Sequence, residues 1–334
     1  MSFGKIIGHT RQIRILRSAL KARRLPHAYL FEGPDGIGKR RVALALAQAI
    51  QCTRQDDNAC GLCESCRKVE EHTHPDVWWV EPEKNAIRID VIRQLQRDMN
   101  FEPLEGSGRV IIVDEADTML HNAANAMLKT LEEPPGASTM VLITSRPQQL
   151  LPTIVSRCQR LAFGPLTKEM ASQVIARQIG DDPGIVALLA SLSGGSPGRA
   201  LAFDRELFLE ERPPLIEEVE RCSLNNVKEI FKLAEKLDKE RKAEISIILE
   251  ILQCWYRDLA VYQVTGNPEQ LINVDLLPII QKVAGQESLE LAISRFEAIG
   301  ETLRNLDRNA NVRLSLDVLL LGLSAAGRGP SFIQ

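Results

Sequence analysis

The sequence lacks the long apolar run that a membrane-spanning helix needs. No stretch of its 334 residues approaches ~20 consecutive apolar residues, and the amino-terminal segment lacks the apolar centre of a signal peptide. Internal repeats and low-complexity tracts are also missing. We therefore expect a cytoplasmic protein of two or three domains, in which an apolar content of 44% is sufficient to fill the cores.

The chain also lacks an excess of positive charge. It contains 41 Lys and Arg residues against 44 Asp and Glu residues, which gives a formal net charge of −3. A chain without a global basic field does not attract nucleic acid on its own. Any contact with DNA would need a local patch, and the sequence contains no basic stripe that predicts one.

Cysteine is sparse except in one segment. Four of the seven cysteines crowd together, at Cys52, Cys60, Cys63 and Cys66. Two overlapping C-x-x-C steps and a fourth thiolate favour a closed Cys₄ site for Zn²⁺, structural rather than catalytic, and the alternative is a set of free thiols. His72 and His74 are close enough to replace a ligand, although solvated loop histidines are the more ordinary interpretation.

A glycine-rich loop follows the apolar segment 28–32 and precedes a predicted helix over 41–50. In that context Gly33, Gly36 and Gly38 allow backbone amides to turn towards phosphates, and Lys39 would reach the outer phosphates. The next position is Arg40 instead of the Ser or Thr that would hold Mg²⁺, and an arginine cannot ligate a cation. This departure argues against ATP hydrolysis more than against ATP binding, and a glycine turn without nucleotide is the alternative.

An acidic motif follows the β-forming run 109–113. Asp114 would lie beside Mg²⁺ and Glu115 near the attacking water, as in a Walker B strand. The alternative is an acidic strand end that caps the next helix. Thr144 or Ser145, at the end of a later strand, would offer a hydroxyl to the nucleotide, or they are only turn residues.

Arg157 lies in the segment 150–159, after that later strand. An arginine is always charged and presents a planar fork of donors, which suits the charge on a transferring γ-phosphoryl group. It is therefore a candidate arginine finger. The ordinary alternative is a solvated side chain or a cap on a helix carbonyl.

Strand and helix signals alternate through the first half of the chain. We predict strands at 28–32, 76–80, 109–113, 140–144 and 158–163, and helices at 12–24, 41–50, 88–99 and 122–131. This pattern is typical of an α/β fold with a parallel sheet and helices on both faces.

From Gly164 onward the strand signals disappear. We predict a small helical lid over 165–210, with one helix capped by Thr167, then a linker at Arg212-Pro-Pro214 and a helical domain over 211–334. Arg199 lies in the first turn of a helix, where a cation gains nothing from the helix dipole. A nearby anion is one interpretation, and a surface arginine is the other.

The motifs occur in a characteristic order: Gly33–Lys39, the four cysteines, Asp114–Asp117, Leu128–Pro135, Ser156–Cys158 and Gly195–Arg199. This combination resembles the bacterial clamp-loader ATPase subunits of the AAA+ class over nearly the whole chain. Within that family, the chain is most similar to the delta prime group of DNA polymerase III subunits, because of its length and because Arg40 follows the loop lysine. The motor subunits, tau or gamma, are expected to keep a hydroxyl after the lysine.

The resemblance implies a AAA+ P-loop domain over 1–164 with a zinc insertion at 52–66, the helical lid, and a C-terminal collar domain. It implies a ring of five subunits, with tau/gamma-like and delta-like partners, that loads a sliding clamp on primer-template DNA. In that ring Arg157 would reach the ATP of a neighbour. The positions that match the family's nucleotide site are Lys39, Asp114, Glu115, Thr144 or Ser145, and Arg199.

Three hypotheses result. The first is a subunit that completes a neighbour's ATP site. The second is a motor subunit that hydrolyses ATP with Lys39 and Asp114, with water in place of the missing hydroxyl. The third is a zinc scaffold without a nucleotide role.

Overall fold

The computed structural model describes residues 2–54, 57–106, 108–180, 183–202, 210–308 and 310–324. These residues form two compact units. The first contains the described residues up to 180 together with Ser193–Arg199, and the second contains the described residues of 183–192 and 200–324. Among all of them, no helix combines the length and the apolar character required to span a membrane.

The α-helices have the following bounds: α1 Thr10–Lys21, α2 Lys39–Gln51, α3 Glu64–Glu70, α4 Ile89–Met99, α5 His121–Glu132, α6 Pro152–Val155, α7 Lys168–Ile179, α8 Pro183–Leu192, α9 Pro197–Ala202, α10 Arg212–Glu220, α11 Val227–Glu240, α12 Ile245–Thr265, α13 Leu277–Ala284, α14 Leu289–Asp307 and α15 Val312–Ser324.

A five-stranded parallel sheet forms the centre of the first unit. Its strands are β1 Ala28–Glu32, β2 Val77–Val80, β3 Arg109–Val113, β4 Ser138–Thr144 and β5 Gln159–Ala162, in the spatial order β2-β3-β4-β1-β5. In the register, Leu30 lies opposite Leu142 and Ile111 lies opposite Met140. The five predicted strands are confirmed.

The sheet is buried on both faces, which explains why its strands are continuous apolar runs. Tyr29 and Phe31 pack on one face with Leu46 of α2. Leu30 points to the opposite face and packs with Ile92 of α4 and Met127 of α5. Because side chains alternate along a strand, each strand contributes to both cores.

The second unit contains α8 and α10–α15. Its longest described helix, α12, packs mainly on α14, and α15 packs on α11 and α14. Trp255 of α12 is fully buried and donates from Nε1 to Oε1 of Glu220 at 2.9 Å. These contacts are those of a packed helical domain.

The predicted linker at Arg212-Pro-Pro214 is wrong, because this segment is the first turn of α10. Proline is tolerated in a first helical turn, where its missing N–H would have no partner within the helix. Arg212 is only 1% exposed and donates to Asn273 and Asp275. The segment is therefore anchored in the core of the second unit.

Thr167 caps α7 as predicted, accepting a hydrogen bond from the amide of Met170. Of the predicted lid, residues 181–182 and 203–209 lie outside the described residues. The limits of the three predicted domains stay predictions.

Candidate functional site

The glycine-rich loop lies between β1 and α2 and packs closely on its surroundings. The amide of Gly33 donates to the carbonyl of Thr144 at 3.2 Å. A Cβ on Gly33 would lie 2.2 Å from the carbonyl oxygen of Phe163. Gly38 has φ of 106° and caps α2, so the loop ends at a helix N-terminus, where anions are favoured.

A second segment, Ser193–Arg199, lies against this loop within the same unit. The amide of Gly198 donates to the carbonyl of Gly36 at 2.8 Å, and the Ser196 hydroxyl donates to the carbonyl of Asp35. A Cβ on Gly36 would lie 2.7 Å from the amide nitrogen of Arg199. The structure therefore places the backbone of Arg199 beside the loop, and the predicted role of this residue towards a nucleotide stays a prediction.

Lys39 is 5% exposed, and its ammonium group lies inside the loop. Nζ donates to the carbonyls of Gly33 and Pro34 at 2.7 Å each and lies 3.7 Å from Oδ1 of Asp35. Burial lowers the pKa of Lys39, and nearby carboxylates oppose this shift. To bind a phosphate, the ammonium group would exchange carbonyl oxygens for phosphate oxygens.

Arg40 reaches the carboxylate that the sequence predicted as the magnesium-side residue. Its NH1 lies 3.3 Å from Oδ2 of Asp114, and its NH2 pairs with Glu81. The guanidinium stacks over Trp79 at 4.9 Å from the ring centroid. Glu81 and Trp79 were missed, although both lie at or directly after the end of β2, the strand next to β3.

Asp114 directly follows β3, and its amide donates to the carbonyl of Val80 at 2.9 Å. Its Oδ1 accepts from the amide of Glu115 at 3.0 Å. Burial raises the pKa of Asp114, and burial together with neighbouring carboxylates raises the pKa of Glu115. Glu115 has φ of 45°, a left-handed conformation that is uncommon for a non-glycine residue and is found at functional sites.

The Thr144 hydroxyl, at the end of β4, already has a hydrogen-bond partner within the chain. Thr144 Oγ1 donates to Oδ1 of Asp117 at 2.6 Å, and Nε of Arg146 donates to Oδ2 of the same carboxylate at 2.9 Å. Thr144 is buried, whereas Ser145 is half-buried in the turn. Sequence reasoning missed Asp117 and Arg146 as a pair, because they are distant in the chain and meet only where β3 and β4 end together.

Arg157 follows α6 and lies on the surface of the first unit. Its NH2 lies 2.6 Å from Oε1 of Glu132 at the end of α5. Its NH1 donates to the carbonyl of Thr153 at 3.0 Å. The side chain is 35% exposed. The helix-carbonyl cap considered as the ordinary alternative is therefore present, together with an ion pair and an accessible guanidinium.

The four predicted cysteines converge between α2 and α3. Their sulfur atoms all lie within 4.8 Å of one another, and those of Cys60 and Cys66 are 4.0 Å apart. Four Zn–S bonds of ~2.3 Å in a tetrahedron place the sulfur atoms about 3.8 Å apart. The cluster is therefore compatible with a structural zinc site.

Backbone amides donate to the sulfur atoms of Cys60 and Cys63 and lower the pKa of both thiols, whereas burial raises the pKa of Cys66. The amides of Cys63 and Cys66 donate to the sulfurs of Cys60 and Cys63 at 3.3 and 3.4 Å. Burial raises the pKa of Cys63, but amide hydrogen bonds, from Cys66 and then Thr53, outweigh it and lower the pKa to about 6. Thiolates are the form that binds zinc.

The two candidate histidines have other positions. His74 is buried, not solvated as expected, and its Nδ1 accepts from the amide of Asp76 at 3.1 Å. The ring of His72 packs edge-on against Trp79 at 4.8 Å. Neither belongs to the metal-compatible cluster found among the described residues.

The parallel sheet, the glycine loop at the start of α2, and the acidic end of β3 define an α/β type of subunit with a helical C-terminal unit. A family model described as DNA polymerase III, delta subunit, matches residues 8–167, and one for the C terminus of that subunit matches residues 206–325.

Full-length relatives identify the family more closely. DNA polymerase III subunit delta' of Bacillus subtilis is 33% identical over 316 residues, 94% of this chain and 95% of the relative. The delta' subunit of Pseudomonas aeruginosa is 33% identical over 306 residues, 88% of this chain and 90% of the relative. The chain belongs to the delta prime family of DNA polymerase III subunits, and the family prediction is confirmed.

Relatives named as tau subunits match over a shorter length. DNA polymerase III subunit tau of Bacillus subtilis is 33% identical over 206 residues, which are 60% of this chain and 36% of tau. The chain is thus a delta prime-like clamp-loader subunit.

Proposed function

We propose that this chain completes the ATP site of a neighbouring subunit with Arg157 and braces the ring that places a sliding clamp on primed DNA. The neighbour would be a tau/gamma-like motor subunit, and a delta-like subunit would complete the ring. Arg157 would stabilise the charge that develops on the γ-phosphoryl group during hydrolysis. This role in the neighbour's ATP site is thus assigned to one residue of the chain, Arg157.

The position of Arg157 is the observation that carries this proposal. Its guanidinium is partly exposed, and its contact with the Thr153 carbonyl orients it along the end of α6. The described hydrogen-bond and ion-pair partners of the Arg157 side chain are Thr153, Ser156 and Glu132. None of these residues belongs to the chain's own glycine loop, which favours action on another subunit's nucleotide.

The proposal is tested by the DNA-stimulated ATPase of the reconstituted complex. We expect Arg157→Ala to lower turnover at the neighbouring site by about 10³-fold without preventing assembly. Arg177→Ala is the matched control, because it removes an exposed arginine from α7 of the same unit. Unchanged turnover in the Arg157→Ala complex would refute the assignment.

The alternative function, an ATP-hydrolysing motor, is less consistent with the contacts of Asp114. Oδ2 of this carboxylate interacts with Arg40, and Oδ1 accepts from Glu115. A motor subunit needs this carboxylate for Mg²⁺. Single-turnover hydrolysis by the isolated chain, abolished by Lys39→Ala, would favour the motor instead.

We further propose that the four-cysteine cluster holds one structural Zn²⁺. The supporting observations are the short sulfur–sulfur distances and the amide hydrogen bonds to the sulfurs. Bound zinc would link the end of α2 to α3 and fix the intervening segment. This role is structural, because four thiolates leave no open coordination position.

A further inference from the structure

We propose that the basic face of α1 binds the phosphate backbone of double-stranded DNA, independently of base sequence. This face consists of Arg11, Arg14, Arg17 and Lys21, and all four side chains are exposed. The proposal rests on the proposed function, which brings the chain to primed DNA, and it adds the surface that would hold the duplex.

The start of the chain differs in charge from the rest. Residues 1–31 contain seven Lys and Arg residues and no Asp or Glu, although the whole chain has a formal net charge of −3. The expectation of no basic stripe overlooked this segment, because the acidic residues that outweigh it all come later in the chain. A local positive field of this kind attracts nucleic acid even when the net charge of the chain is negative.

Helical spacing places the four cations of the basic face on adjacent turns of α1. They are three, three and four residues apart, and together they span about 15 Å along the helix axis. Arg14, Arg17 and Lys21 line a groove of about 440 Å³ beside the segment 3–10. Among the described residues, only Arg17 of the four has a carboxylate partner, Asp57 at 2.8 Å. The other three cations are available to an external anion.

The stability of α1 does not explain this row of charges. Like charges three or four residues apart destabilise a helix, and α1 contains no acidic residue that would balance them. Arg11 also lies in the first turn, where the positive end of the helix dipole repels a cation. Helix faces that are stabilised by salt bridges alternate in sign, and this face does not. A uniformly positive face with an energetic cost therefore indicates an anionic ligand.

The composition of α1 favours duplex DNA over other anionic surfaces. Leu16 and Leu20 are buried in the core of the first unit, so the apolar side of α1 is not available to a membrane. The helix contains no aromatic side chain on which the bases of a single strand could stack. Three of its four exposed cations are arginines, whose planar fork of donors matches phosphate oxygens. A row of cations without aromatic residues thus fits a repeating backbone of phosphates.

The test is the salt dependence of duplex binding by the full chain without nucleotide. The anisotropy of a fluorescein-labelled duplex of about 20 bp would be followed from about 50 to 200 mM NaCl. Each neutralised phosphate contributes about −0.9 to the slope of log K against log salt. Contacts from Arg11, Arg14 and Lys21 therefore predict a slope of about −2.7 and roughly a 40-fold loss of affinity over this range.

The variant that tests the face combines Arg11→Gln, Arg14→Gln and Lys21→Gln. Its slope should be smaller in magnitude by about 2 or more, and its affinity at low salt should be at least about tenfold weaker. Because the variant loses like-charge repulsion, its melting temperature should equal or exceed that of the wild-type chain. Arg11→Lys combined with Arg14→Lys keeps the charge and should keep the slope.

The matched control combines Lys129→Gln, Lys168→Gln and Arg177→Gln, which remove the same charge from exposed positions of α5 and α7 in the same unit. This control should bind the duplex as the wild-type chain does. An equal loss of affinity and slope in the control and in the α1 variant would overturn the proposal, because net charge alone would then explain binding.

Two results with the wild-type chain would also overturn it. The first is the absence of duplex binding at low salt. The second is equally tight binding of a polyglutamate peptide or a thymidine oligonucleotide of the same charge, which would assign the face to an acidic protein or to single-stranded DNA. The role of Arg157 is measured by ATP hydrolysis at the neighbour's site, so either proposal can fail while the other stands.

Discussion

Glu132 is the only described residue whose carboxylate pairs with Arg157, and removing its charge tests how that arginine is presented. In Glu132→Gln the side chain keeps its shape, and NH1 of Arg157 keeps its contact with the Thr153 carbonyl. The 2.6 Å ion pair joins side chains that are 35% and 51% exposed. Such pairs contribute about 0.2–1 kcal/mol because water screens them.

This free energy limits the effect on catalysis. If Glu132 competes with phosphate oxygens for the guanidinium, its neutralisation releases at most about 1 kcal/mol, which corresponds to roughly a fivefold change in rate. We therefore expect Glu132→Gln to leave the ATPase of the reconstituted complex unchanged or to raise it by up to about fivefold. The difference should shrink at high salt.

The assay is steady-state ATP hydrolysis by the complex, with Glu133→Gln as the matched control. Glu133 is the next residue, is exposed, and loses the same charge when replaced. A loss of tenfold or more in the Glu132→Gln complex alone would refute the reasoning, because Glu132 would then act in the reaction and not as a competing surface partner.

Three further predictions concern structure. The purified chain should contain one zinc ion per molecule by metal analysis, and Cys63→Ser should contain much less zinc per molecule. A chain with all its cysteines intact but without zinc would contradict the proposed site. Burial raises the pKa of Glu220, so the folded chain keeps this proton to higher pH than the unfolded chain. The contribution of this proton to the free energy of unfolding is complete below about pH 4.3 and is lost as pH rises through the folded pKa. In urea denaturation, the stability of Glu220→Gln should lack this decrease with rising pH. Gly36→Ala should lower the melting temperature more than Gly136→Ala. Both glycines have positive φ, but only at Gly36 would a Cβ meet another group, the Ser196 hydroxyl at 2.6 Å. Equal decreases in melting temperature would contradict the packing of that hydroxyl on the loop.

The sequence predicted the sheet well because its strands leave local signals. Each strand is a short apolar run bounded by turn formers, and a parallel sheet buried on both faces produces such runs. The glycine loop and the cysteine cluster were also predictable, since their chemistry depends on spacing within one segment. Lys39 and Cys63 both lie where the spacing placed them.

The remaining features depend on contacts between distant segments. Arg40 is adjacent to Lys39 in the chain, but its pairing with Glu81 exists only because β2 lies beside β3. The sequence did not predict the burial of Arg212, because two consecutive prolines indicate a linker as readily as the first turn of a helix. Its acceptors, Asn273 and Asp275, are about 60 residues away in the chain.

The most direct test of the central claim is trapping of a transition-state analogue at the neighbouring ATP site. Complexes reconstituted with this chain, a tau-like subunit and a delta-like subunit would be incubated with ADP and aluminium fluoride, and retained ADP would be counted. The account predicts stable trapping with the wild-type chain and loss of trapping at one site with Arg157→Ala. Equal trapping by the two complexes would contradict it.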